Sequence, residues 1–163
     1  MQTLSAVLHQ GDQDPALQEI ILALASAGER ISAKLRLGAL ASILGDAKKV
    51  NVQGEQQKKL DIIANQIVID KLSSLKAVAG MASEEEEQFI TGHPEGRYLV
   101  MFDPLDGSSN IDIDISVGTI FSLLMKPRDE DLQEKHFLQP GNKQVAAGYI
   151  LYGLSLIHIS EPT

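Results

Sequence analysis

Apolar residues recur at helical spacing through the first third of this chain and then give way to short, strand-length runs. That change of period confines the fold to helices layered on a sheet. Asp14 is placed to cap a helix and Pro15 to occupy its first turn. Leu17, Ile20, Ile21, Leu24, Ile31 and Leu35 then fall on one face, and Gly28 interrupts the pattern without ending it. A break is expected near Gly45, followed from about Gln56 by a second amphipathic helix with Leu60, Ile63, Ile67, Leu72 and Leu75 on its apolar face. Strands are predicted near residues 77–82, 97–102, 116–125 and 145–152, joined by acidic or Gly/Pro-containing connections. The expected fold class is α+β.

Composition removes several classes of function. With 163 residues, 44% hydrophobic and 22% charged, the chain is long enough for one core, and one domain is the default. A net charge of −8 leaves no basic stripe to replace the counterions of a nucleic acid or an anionic membrane, so neither is expected as a partner. The absence of cysteine removes thiolate chemistry and disulfides. The opening Met1-Gln2-Thr3-Leu4-Ser5 has no basic region leading into an apolar one, and no apolar stretch approaches spanning length. A soluble cytoplasmic protein is the expectation.

Chemistry concentrates in Phe102-Asp103-Pro104-Leu105-Asp106-Gly107-Ser108-Ser109-Asn110-Ile111-Asp112. The apolar run Tyr98–Phe102 reads as a buried strand, and Pro104 pushes Asp103 toward an extended conformation, so Asp103 and Asp106 are expected at the strand's exit on a stiff bend. Two carboxylates so placed suit a hard cation such as magnesium, with the Leu105 carbonyl as a further oxygen ligand. Gly107, Ser108 and Ser109 let backbone N–H groups approach an anion closely, and a helix starting there adds positive partial charge. An ordinary surface turn has the same residue types.

The full string resembles the D-P-[LI]-D-G-[ST] signature of the metal-dependent sugar and inositol phosphatase superfamily, and its Ser-Ser-Asn-Ile-Asp extension is similar to class 1 fructose-1,6-bisphosphatases. Three more segments carry the resemblance in the same order: Asn51–Asp61, similar to a mobile loop of these enzymes; Ala82-Ser83-Glu84-Glu85, similar to their acidic metal-binding segment; and Phe137–Tyr149, similar to a downstream strand. The resemblance spans about residues 3–153. It implies a sugar phosphatase-like layered α/β sandwich, here an N-terminal domain over residues 1–153 with helices on a mostly antiparallel or mixed sheet.

Glu84-Glu85-Glu86-Glu87 reads by itself as a solvated, self-repelling loop. It also follows a predicted strand as Asp103 does, so the two acidic ends meet if those strands are parallel neighbours. The resemblance implies Glu84, Asp103, Leu105 and Asp106 as metal ligands. It assigns Glu85 to orienting or deprotonating the attacking water, and adds Glu55 and Asp61 as catalytic carboxylates of the mobile loop. On pattern alone Glu55 and Asp61 are surface acids at a helix start. The turn Asp106, Gly107, Ser108, Ser109 is the implied phosphate cradle, and Glu86 and Glu87 stay solvated. Asp112 and Asp114 alternate with isoleucines as solvent-facing positions, and Ser108 has no activating base nearby. His9, His93, His136 and His158 share no ligand spacing and are expected at surface or turn positions. Arg97 and Tyr98 fall where the family's nucleotide-inhibitor site has a basic residue and a tyrosine, a two-residue match that an ordinary structural role explains better.

The implied reaction is hydrolysis of the 1-phosphate of fructose 1,6-bisphosphate to fructose 6-phosphate and phosphate, with Mg2+ as cofactor, Mn2+ as a substitute, and a homo-oligomer, a tetramer by resemblance, as the full-length state. A sedoheptulose bisphosphatase, an inositol phosphatase or a non-catalytic metal-binding or subunit-interaction module is the alternative. Residues 154–163 resemble no phosphatase segment and look like the translation of a transposase adapter used in sequencing, so an artefactual tail on an amino-terminal fragment is expected. Such a fragment, lacking the half that grips the sugar, is expected to be inactive alone.

Overall fold

The computed structural model describes residues 3–10, 13–44, 50–107, 117–128 and 130–152, with side chains left aside at residues 10, 38–44 and 50–58. The expected break at Gly45, Ser108 and Ser109, Asp112 and Asp114, His158 and the tail 154–163 lie outside the described residues.

Three helices come first: α1 (Leu4–Gln10), α2 (Pro15–Leu44) and α3 (Val50–Ser73). The strands follow: β1 (Val78–Ser83), β2 (Ile90–Thr91), β3 (Tyr98–Asp106), β4 (Val117–Met125) and β5 (Ala146–Tyr152). They form a mixed sheet in the order β2-β1-β3-β4-β5, in which β1 and β3 are parallel and the other neighbours antiparallel. Helix α1 and the two-residue β2 were not anticipated, because neither is long enough to show a period.

Asp14 caps α2 as expected. Its Oδ1 accepts the Ala16 amide at 2.9 Å. The same carboxylate ties the helix to the start of β3, since its Oδ2 accepts from Arg97 at 2.7 Å and from the Tyr98 hydroxyl at 2.9 Å. These bonds, led by the Ala16 amide, hold the Asp14 carboxyl below its ordinary value. Arg97 and Tyr98 therefore have the structural role that the sequence favoured for them.

Alternation along β3 builds two layers. Tyr98, Val100, Phe102 and Leu105 pack on the helices with Ile20, Leu24, Ile31, Ile67, Val68 and Leu72. Leu99 and Met101 turn to the opposite face, where Ala79, Leu124, Leu132 and Phe137 make a smaller cluster. Burying each large apolar side chain contributes about 1.5–3 kcal/mol. Helix α2 buries the face its spacing predicted and runs through Gly28 unbroken. Helix α3 differs from expectation in two respects. It begins at Val50, so Asn51–Asp61 is helical here and not a loop. Its buried arc is Ala64, Asn65, Ile67, Val68 and Leu72, which leaves Ile63 40% exposed.

His136 lies in a turn, one of the two settings expected for it, but it is buried there. It is 3% exposed in a 3-10 turn over Glu134–His136, where Nδ1 accepts the Gln133 amide at 3.1 Å and Nε2 meets Glu130 at 3.1 Å.

The connection from β2 to β3 crosses tightly over β1. A Cβ at buried Gly96 would lie against the backbone nitrogen of Ala79 and the carbonyl carbon of Val78, neither of which can yield. Gly96→Ala is expected to lower stability by about 1–3 kcal/mol through overpacking, measured by urea unfolding; unchanged stability would contradict this packing.

Candidate metal and phosphate site

Parallel pairing of β1 and β3 decides where the acids go. Ser83 stands opposite Phe102, and the Glu84 amide donates to the Phe102 carbonyl at 3.0 Å, one step beyond the strand end. Glu84, just past β1, and Asp103, on β3, thus stand side by side at the same end of neighbouring strands. Together they border an open cleft of about 370 Å³ with Ala82, Met101 and Ser122.

Asp103 and Asp106 lie within β3 and not beyond it as expected. Between them the register with β4 slips: Asp103 stands opposite Ile120 and Asp106 opposite Gly118, so three steps on β3 match two on β4. This is a β-bulge, and it explains how a proline fits in the strand, because a bulge leaves a residue without a ladder partner. The Leu105 amide donates to Asp103 Oδ1 at 3.0 Å, and the Leu105 side chain is only 3% exposed, anchored in the main core. Gly107 ends the corner with φ 78°, a left-handed conformation that favours glycine.

Helix α3 brings the third group of acids. Asp61 and Asn65 are one turn apart, on the side that meets the acidic turn. Asn65 is buried; its amide nitrogen donates to Glu86 Oε1 at 2.7 Å and its amide oxygen accepts from Ser83 Oγ at 2.7 Å. Ser83 Oγ in turn accepts the Glu85 amide at 3.3 Å. Glu86, expected to be merely solvated, is therefore one of the groups fixing the turn that presents Glu84 and Glu85. Asn65 was missed in the sequence; its signal was a polar residue inside the apolar arc of α3.

Electrostatics show that these acids share one space. Burial raises the Asp103 carboxyl above its ordinary value, as do the charges of Glu84, Asp106 and Asp61, against the Leu105 hydrogen bond that lowers it. Burial also raises Glu85, followed by the charges of Asp61, Glu84 and Asp103. On β5, Tyr149 stands beside Ile120 and is raised by burial and by Asp106 and Asp103. The donor set is all carboxylate oxygen, the chemistry of a hard divalent cation. Among the described residues no three acids or histidines close on a single point tightly enough to enclose an ion.

Of the residues singled out in sequence, the structure brings Asp61, Glu84, Glu85, Asp103, Leu105, Asp106 and Gly107 to one end of the sheet. Ser108 and Ser109 lie outside the described residues. Glu55 falls within α3, but its side chain is not among those described.

Fold and site together define a class: α+β domains that gather carboxylates at the ends of neighbouring strands. Residues 3–160 match the family model for the fructose-1,6-bisphosphatase N-terminal domain. Curated relatives named fructose-1,6-bisphosphatase class 1 include one from Neisseria meningitidis serogroup A, 58% identical over 146 residues, which cover 90% of this chain and 45% of the relative. Another, from Shewanella halifaxensis, is 54% identical over 155 residues, covering 95% of this chain and 47% of that one. The holo crystal structure of Leishmania major fructose-1,6-bisphosphatase superposes with a TM-score of 0.77 at 32% identity, covering 94% of this chain and 49% of that one. This chain belongs to the fructose-1,6-bisphosphatase family. It spans about half the length of the curated relatives it matches. No helix among the described residues is long and apolar enough to cross a membrane.

Two outcomes follow from this geometry. Asn65→Ala leaves Ser83 and Glu86 without their partner and is expected to cost about 1–3 kcal/mol, read by urea unfolding. The second concerns pH. Because Asp103 is raised in the folded state, the unfolded chain loses that proton first, so the group's contribution to stability falls as pH rises from its ordinary 3.8 through the higher folded value. Asp103→Asn keeps the oxygen that accepts from Leu105 and removes the charge. In metal-free buffer its melting temperature should exceed that of the parent by a margin that widens across this window and then levels off. A margin independent of pH would contradict the raised proton affinity of Asp103.

Proposed function

We propose that this chain carries the metal-binding and phosphate-binding corner of an enzyme that hydrolyses the 1-phosphate of fructose 1,6-bisphosphate to fructose 6-phosphate and inorganic phosphate. The observation that carries this reading is the delivery of Glu84 and Asp103 by adjacent parallel strands to one end of the sheet, with Glu85 and Asp61 alongside. Membership of the family supports the reaction class and implies a divalent metal cofactor.

In this reading Glu84, Asp103, Asp106 and the Leu105 carbonyl hold magnesium, for which manganese substitutes. The cation supplies electrophilic activation of the phosphoryl group and charge neutralisation at the leaving oxygen. The protein's own contribution is positional. Asp106 and Gly107, with Ser108 and Ser109, cradle the phosphate, and the left-handed Gly107 lets backbone N–H groups come close to the anion. Glu85, with its proton affinity raised by burial and neighbouring acids, orients the attacking water and takes its proton; Asp61 and Glu55 assist. The surrounding negative charge disfavours binding of a bisphosphate unless cations neutralise it first, so cation and substrate are expected to bind cooperatively. The complete protein acts as a cytoplasmic homo-oligomer, and residues 1–163, which span about half the length of the curated relatives, turn over little or no substrate alone.

Calorimetry tests the central claim. Mn2+ or Mg2+ should bind this chain, and Asp103→Asn should weaken binding about tenfold or more. In the complete protein, Glu85→Gln should lower metal-dependent phosphate release by about 10²–10⁴-fold. Metal binding indifferent to Asp103, or full activity without Glu85, would overturn the reading.

A further inference from the structure

The bulge that separates Asp103 from Asp106 leaves the Pro104 carbonyl inside the sheet, away from the regular β3–β4 register. A side chain takes the place of the missing ladder. Thr119 Oγ1, on a residue 1% exposed, donates to the Pro104 carbonyl at 2.8 Å. Thr119 Oγ1 also lies 2.5 Å from the Tyr152 hydroxyl. A threonine hydroxyl has one proton, and a carbonyl can only accept, so the direction of the second bond follows: Tyr152 donates to Thr119.

Tyr152 is suited to that role. Burial pushes its hydroxyl up to about 12, so it keeps its proton across the range in which the protein works. Its position is set from both sides. It sits on β5 opposite Val117, two residues from Thr119 along β4, and its hydroxyl lies against helix α2 where Gly28 leaves room; a Cβ there would come within 3.4 Å of the hydroxyl. The chain of bonds runs from the last described strand, through β4, to the Pro104 carbonyl, which with that of Leu105 lies between the two acids of β3. A buried tie of this kind does more than fill space, because its endpoint is the peptide whose orientation sets the directions of Asp103 and Asp106.

We propose that Thr119 and Tyr152 are positioning residues, which hold the Asp103–Asp106 corner in its working shape through the Pro104 carbonyl. Neither touches the reacting atoms. The inference deepens the metal and phosphate reading and rests on it only for the second of two measurements.

The test uses the 163-residue chain and the variants Thr119→Val, Thr119→Ser and Tyr152→Phe. The first measurement is amide exchange at Leu105, the donor to Asp103, against core amides of Val68 and Leu72. Thr119→Val should speed Leu105 exchange about tenfold beyond any change at the core amides, Tyr152→Phe less, and Thr119→Ser should restore the parent rate. The second is Mn2+ affinity by calorimetry, which Thr119→Val should weaken about tenfold while Thr119→Ser leaves it near the parent value. Leu105 exchange that is unchanged, or that rises only in step with the core amides, overturns the proposal, since a purely structural role would give that result. If Thr119→Val does not fold, Tyr152→Phe decides by the same comparison. A parent chain that takes up no Mn2+ would defeat the metal reading, and the exchange measurement would still decide the positioning role.

Discussion

The parallel pairing of β1 with β3 is the constraint from which the site follows. An antiparallel neighbour would have carried Glu84 to the opposite end of the sheet from Asp103. Parallel strands require a crossover, and here the chain between them folds into β2 and a turn that passes over β1 so closely that Gly92 and Gly96 can carry no Cβ. The main core behind the two strands, from Val78, Met81, Val100 and Phe102 to Leu72 and Ile20, holds the pair rigid. What emerges at their ends is a cluster of like charges.

That cluster works against the fold that supports it. Asp103 and Glu85 are both raised above their ordinary values, burial being the leading cause and neighbouring acids adding to it. The acids therefore remain together only because stronger terms oppose their burial and mutual repulsion. Those terms are visible nearby: the Asn65 bridge between Ser83 and Glu86, the Leu105 side chain buried beside its own amide bond to Asp103, and the Thr119 bond to Pro104. The opposite case is Asp14, whose carboxyl is lowered by the Ala16 amide, Tyr98 and Arg97 and which joins α2 to β3 with a favourable pH dependence. One acid strengthens the fold, and the others are held in place by it.

Much of this was legible in the sequence because it rested on period and on turn chemistry. The faces of α2 and the four longer strands follow from runs several residues long, whereas the meeting of Glu84 with Asp103 depends on a parallel pairing that such runs leave open. What escaped reading was relational. Asn65 in α3 and Thr119 in the apolar run of β4 are single polar residues inside buried arcs, and nothing local says which partner each will find. Glu86 looked like any other member of an acidic run until Asn65 stood opposite it. His136 gave no spacing signal because its partners, Gln133 and Glu130, serve a turn and not a metal. The bulge at Pro104 was read as a strand end, since proline ordinarily stops a ladder; only the offset of Asp106 against Gly118 shows that the strand continues.

The bulge also explains why this corner can present two carboxylates and a left-handed glycine within five residues. In a regular strand, residues three apart point to opposite faces, so Asp103 and Asp106 would diverge. Inserting one residue into the register undoes that opposition and bends the strand before Gly107 reverses into its left-handed conformation. The leucine between the acids then faces the core as an anchor, and the proline, with no N–H to leave unpaired, occupies a place where the ladder has no use for a donor. Asp-Pro-Leu-Asp-Gly is thus a set of backbone requirements as much as a pair of acids: extended, donor-free, anchored, bulged and left-handed in turn.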